Sequence, residues 1–316
     1  MSGRVPAGEI LNEAFQFGFY RWLTVFRFAW APLALTAVLM WGFIQFVFDK
    51  EAIEGVERAS DLNSFSDILN VSPFTAVVLG VIAAIILMVA FAGMFASVYR
   101  LVALGEDRPG FMQLRFDGPA QRVFMAQLIL NAINYVIMIA AVILGLALGG
   151  ASPGDFFDAS REFFALVQQS ARDPSFQPSE ADFANMAGPL GGVMLGGLIA
   201  APLLVFVNVR LSPFLSGSAA ENRLVLFGAF RLTAGYFWAI FVVYLLFILA
   251  LFAVGIAFSL AMSFIELMSS LGGSMAFIGA IFGVIGFAAT VVYQVFVIGV
   301  QLSLQAIIYR RLKTGE

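Results

Sequence analysis

Between Arg122 and Asp155 the chain reads VFMAQLILNAINYVIMIAAVILGLALGG over residues 123–150, without one Asp, Glu, Lys or Arg. A helix needs about 20 apolar residues to cross a hydrocarbon core of roughly 30 Å, and this window exceeds that length. Working outward, successive charges mark off more windows of the same kind: residues 28–48, 74–99, 188–209, 236–260 and 275–308. The last could hold two short spans, but SSLGGS reads as a turn and leaves one. The expectation is an all-α integral membrane protein with six transmembrane helices. Residues 1–27 form a cytoplasmic amphipathic arm, 28–309 the membrane domain (span three taken as 123–149), and 310–316 a tail.

Composition agrees. Hydrophobic residues make up 61% of the 316 and charged residues 12%, with a mean hydropathy of +0.95. A water-soluble domain carries roughly 25% charged residues, so lipid must replace water over much of this surface. The net charge of −3 argues against nucleic acid, which needs clustered Lys and Arg. There is no cysteine, hence no disulfide and no thiolate ligand. There is no histidine either, which removes the usual general base and the commonest metal ligand. No metal and no cofactor are expected.

Orientation follows from the basic residues. Thirteen of the 17 Arg and Lys fall on one face of the six-span layout, and thirteen of the 20 acidic residues on the other. The positive-inside rule then places both termini in the cytoplasm. Only Lys50 and Lys313 are lysine; this Arg bias suggests a GC-rich bacterial genome and so a bacterial inner membrane. The first segment is not a signal peptide, because it carries Glu9 and Glu13 and its apolar run is late and long. Instead GEILNEAFQFGFYRWLTVFR, residues 8–27, spaces its polar positions by mostly three and four, as an interfacial amphipathic helix does.

The even-numbered spans end alike, at Tyr99-Arg100-Leu101, Val209-Arg210-Leu211 and Tyr309-Arg310-Arg311. The odd-numbered spans follow helix-start signals: Asp117-Gly118-Pro119 before the third and Ser218-Ala219-Ala220-Glu221, a capping box, before the fifth. The layout reads as three copies of a two-span unit, although positive-inside bias alone also places Arg at inner ends. Glycines stand four apart at Gly188, Gly192 and Gly196, at Gly145 and Gly149, and at Gly279 and Gly283. That spacing lets helix backbones approach closely.

Candidate sites are few. Arg210, Arg223 and Arg231 flank the expected helix start at Ser218, where free N–H groups and a lipid phosphate would suit one another. The polar residues within spans are Gln45, Asn131, Asn134, Asn208, Gln294 and Gln301. Asn131 and Asn134 share a helix face beside Tyr135 and, with Gln294, could line a polar path; interhelical hydrogen bonds are the plainer use. The acidic loops, Asp49 to Asp67 and Asp155 to Asp182, match no calcium-loop spacing and read as amphipathic helices with a solvated acidic side. Glu106, Asp107 and Glu221 have no partner implied by spacing, so no catalytic residue is expected.

Residues 210–245 read RLSPFLSGSAAENRLVLFGAFRLTAGYFWAIFVVYL. This resembles a motif of the membrane domain of bacterial glycerophosphoryl diester phosphodiesterases and of related stand-alone membrane proteins of unknown role. The matching positions are Pro213, Glu221, Arg231, Leu232, Thr233, Gly235, Phe237 and Trp238. The catalytic barrel of those enzymes is absent, so the resemblance implies a stand-alone module. The sequence therefore points to a non-enzymatic membrane module that binds lipid or scaffolds a membrane or cytoplasmic partner. The alternative is a transporter or channel for a small or amphipathic solute, and a third reading is an anchor for a soluble enzyme.

Overall fold

The computed structural model describes residues 6–47, 70–107, 115–172, 176, 179–271 and 276–315. Ten helices appear among them: α1 Ala7–Tyr20, α2 Trp22–Val47, α3 Pro73–Leu104, α4 Gly118–Leu148, α5 Pro153–Arg172, α6 Glu180–Arg210, α7 Phe214–Glu221, α8 Leu226–Leu232, α9 Phe237–Leu271 and α10 Ala276–Thr314. The described residues contain no strand. Six helices (α2, α3, α4, α6, α9 and α10) are long and apolar enough to cross a membrane. This is an all-α, multi-pass membrane protein. The acidic residues from Asp49 to Asp67, Asp173 and the turn residues 272–274 lie outside the described residues.

The helices outrun the uncharged windows that announced them. Helix α2 begins at Trp22 rather than 28, because Arg27 inside it is paired with Asp107 and need not end the helix. Helix α10 runs to Thr314, so residues 310–314 continue it. Helix α4 opens as its sequence predicts: the Ala120 N–H donates to the Asp117 carboxylate at 3.3 Å. It closes in a Schellman turn with Gly150 at φ +72°, the Ala151 N–H donating to Leu146 O and the Gly150 N–H to Ala147 O. Helix α5 starts two residues later on a reciprocal cap, where Ser152 N–H donates to Asp155 and Asp155 N–H to the Ser152 hydroxyl.

The chain divides into two compact units. The first comprises residues 1–34, 88–127 and 209–316, and it holds most of the buried apolar side chains, among them Ile10, Phe28, Met94, Tyr99, Phe214, Ile240 and Leu304. In it α1 lies against α10, with Ile10, Ala14 and Gly18 as the buried residues of α1. A Cβ on Gly18 would collide with Val300, and Ser303 donates to Ala14 O at 3.4 Å. The amphipathic arm is thus docked on protein along one face. Its polar residues Glu9 and Glu13 pair with Arg311 and Arg310.

The second unit comprises residues 35–87 and 128–208. Helices α4 and α6 meet there backbone to backbone. A Cβ on Gly145 would fall on Gly192 and Gly196, and one on Gly196 would lie 2.8 Å from the Val142 Cα. The spaced glycines serve packing at these positions, while Gly188 has nothing within 4 Å.

The three segments expected to repeat differ in form. The first is the separate helix α1, the second is the opening of α4 itself, and the third is the pair α7 and α8. Their Arg residues also differ in partners: Arg100 donates to Glu106 and Ala219 O, and Arg310 to Glu13 and Val102 O. Arg210 rests on a ring.

Candidate functional site: an arginine edge

The segment from Arg210 to Trp238 folds around a buried turn. Helix α6 ends at Arg210, and Pro213 opens α7, whose residues Phe214 to Ala219 are all buried. Ser218 therefore lies in the last turn of α7, and its hydroxyl accepts from the Val225 N–H at 3.4 Å. The expected helix start at Ser218, with free N–H groups for a phosphate, is corrected: Ser-x-x-Glu here spans a helix C-terminus. Pro213 was the signal to follow, since proline's fixed φ and missing N–H suit a helix opening. Asn222 then stops α7 in the left-handed region at φ 51°.

The R-L-T-x-G-x-F-W run has a mechanical reading. Arg231 and Leu232 finish α8. The buried Thr233 hydroxyl lies 2.9 Å from Arg210 O and 3.0 Å from Ala229 O, which ties the end of α8 to the end of α6. Gly235 has φ +85°, a backbone that side-chain-bearing residues rarely adopt, and it turns the chain into α9. Trp238, on the first turn of α9, is 73% exposed, as suits an aromatic at a headgroup boundary.

The cations of this edge fall into two classes. Arg223 is exposed and donates to Glu221 at 2.8 Å. The other Glu221 oxygen accepts from Lys313 at 2.9 Å and from the Tyr309 hydroxyl at 2.8 Å. Glu221, Glu106 and Asp107 are thus all bound into ion pairs, with arginines or a lysine that no spacing announced. Arg210 and Arg231 behave otherwise. Neither forms an ion pair among the described residues. The Arg210 guanidinium lies 4.2 Å over the Phe230 ring, and its Nε is buried without a hydrogen-bond partner. Arg231 is exposed in the last turn of α8 beside Phe230.

The polar residues within spans fall in different units. Asn134 and Asn208 form a reciprocal amide pair, with donor–acceptor distances of 3.0 and 3.4 Å, in the second unit. Asn131, three residues before, is half-buried. Gln294 belongs to the first unit and is exposed. Two cavities of the first unit flank α1. One, of about 550 Å³, is walled by Phe19, Trp22, Phe258, Tyr293 and Phe296. The other, of about 410 Å³, is lined by Glu13, Gln16, Arg21 and Arg310 among others. No group of three or more Asp and Glu suited to a metal ion occurs among the described residues.

No family model, no curated protein and no solved structure matches this chain.

Proposed function

We propose that the protein is a non-enzymatic membrane module that holds an anionic lipid headgroup at the edge where α6 meets α8, with Arg210 and Arg231 as its cations. The observation that carries this reading is Arg210: a half-buried guanidinium stacked on Phe230, with Nε unpartnered, whereas Arg27, Arg100 and Arg310 are matched to carboxylates. A charge taken from water needs a counter-charge, and at the edge of an apolar span the abundant anion is a lipid phosphate. Arg231, next in sequence to Phe230, supplies an accessible cation, and Trp238 at the start of α9 an exposed aromatic. Arg223, matched to Glu221, is left out of the site.

The Arg distribution supports an orientation with both termini in the cytoplasm of a bacterium, which puts this edge at the inner leaflet. The likeness of residues 210–245 to the phosphodiesterase membrane domain supports the reading as a membrane module.

Native mass spectrometry of the full chain from mild detergent is the test. The expected result is a retained anionic phospholipid, lost in Arg210→Ala/Arg231→Ala and kept in Arg223→Ala. Equal lipid retention in the double variant removes the site.

A further inference from the structure

Helix α10 carries two carboxamides that the fold leaves open. Gln294 and Gln301 are exposed, and neither has a hydrogen-bond partner among the described residues. Their neighbours on the same helix are satisfied: Gln305 accepts from the Tyr99 hydroxyl at 2.5 Å, and Thr290 donates back to Gly286 O at 2.9 Å.

Depth makes the open pair costly. At about 1.5 Å of rise per residue, Gln301 lies about 13 Å and Gln294 about 24 Å along the helix from Arg310. With Arg310 at the inner edge of a hydrocarbon core of roughly 30 Å, both fall within it. An amide there without a partner costs several kcal/mol relative to water, so something must cover this face.

The same face shows what fits. Phe287 stands seven residues before Gln294 and is 74% exposed. Gly283, four residues earlier, is exposed, and a Cβ added to it would meet nothing within 4 Å. Gly283, Phe287, Gln294 and Gln301 form one strip with a close-approach position, an apolar knob and two amides at heptad spacing. An amide is both donor and acceptor and so complements its own copy. A two-fold axis between parallel helices would set each Gln opposite itself. A water-lined path is a poorer fit, because the strip also presents the exposed Phe287. We infer that this strip of α10 is the contact through which two copies of the chain associate in the bilayer. The inference is independent of the headgroup reading.

The chain has no cysteine, so single-cysteine variants report without background. Gln294→Cys and Gln301→Cys, oxidised in native membranes, are expected to give a dimer-sized cross-link. Ile285→Cys, on the opposite side of α10 and 47% exposed, is expected to give none. In reconstituted vesicles, single-molecule photobleaching is expected to show the dimer dissociation constant rising about tenfold or more in Gln294→Leu/Gln301→Leu. Absence of both cross-links, an equal cross-link at Ile285→Cys, or an unchanged dimer population in the double leucine variant would overturn the proposal.

Discussion

The two units hold their helices together by different means. The first joins distant segments with hydrogen-bonded charge: Glu13 to Arg310 and Arg311, Arg27 to Asp107, and Glu221 to Lys313 and Arg223. Side chains such as Phe28, Tyr99 and Phe214 fill its core. In the second, α4 and α6 touch through glycine backbone, and many of its large apolar residues are exposed, among them Phe74, Met194 and Leu198. The difference follows from the solvent. Charge pairs form where water or headgroups make ionisation cheap, whereas inside hydrocarbon there is no hydrophobic force between helices and close van der Waals packing must serve.

Breaking the second mode should have the largest effect. Gly145→Leu drives a side chain into the backbone of Gly192 and Gly196, where nothing flexible can give way. We expect a loss of about 3 kcal/mol or more, the upper end for overpacking, seen as a collapse of the folded fraction in heated detergent extracts. Gly188→Leu, at an open position of the same helix pair, should stay within about 0.5 kcal/mol. Equal damage from both variants would mean that backbone contact is not what joins α4 to α6.

Breaking the first mode should cost less. In Glu13→Gln, Arg310 loses a carboxylate partner and Arg311 one of two. Arg310 and Glu13 are 35% and 34% exposed, so solvent screening limits the pair to about 1 kcal/mol. A double-mutant cycle with Arg310→Gln measures it, and added salt should shrink the coupling. A coupling near zero at low salt would reduce these pairs to ornaments of a helix contact made by Ala14 and Gly18.

The six spans were legible because a bilayer demands long uncharged runs, a constraint written locally in the sequence. Helix ends were less so. Arg27 looked like a boundary only while its partner Asp107 was unseen. The Ser218 capping box failed for a related reason, since Ser-x-x-Glu marks a helix start only when nothing helical precedes it, and α7 had already begun at Phe214. The clasp of Glu9 and Glu13 on Arg311 and Arg310 joins residues 302 and 297 apart, for which no spacing rule exists. Arg210, Arg223 and Arg231 share one reading in the sequence, and only their partners separate Arg223, held by Glu221, from Arg210, stacked on Phe230.

The smallest effect sharpens the contrast at the polar margin of the second unit, where α5 begins. Ser152, first through its backbone N–H and then its hydroxyl, holds the Asp155 carboxyl below the ordinary carboxylate value. A carboxyl with a depressed folded pKa stabilises the folded form while it is ionised in both states, that is, above its ordinary value of 3.8. As pH falls through that value the unfolded segment takes up a proton first, and the contribution drains away until pH reaches the lower folded value. Amide exchange at residues 154–157, corrected for intrinsic rates, should therefore lose protection on acidification from pH 5 to 3. In Asp155→Asn the protection should be weaker at pH 5 and nearly flat with pH. Retention of the full acid response in that variant would assign it to another group and leave the cap as geometry alone.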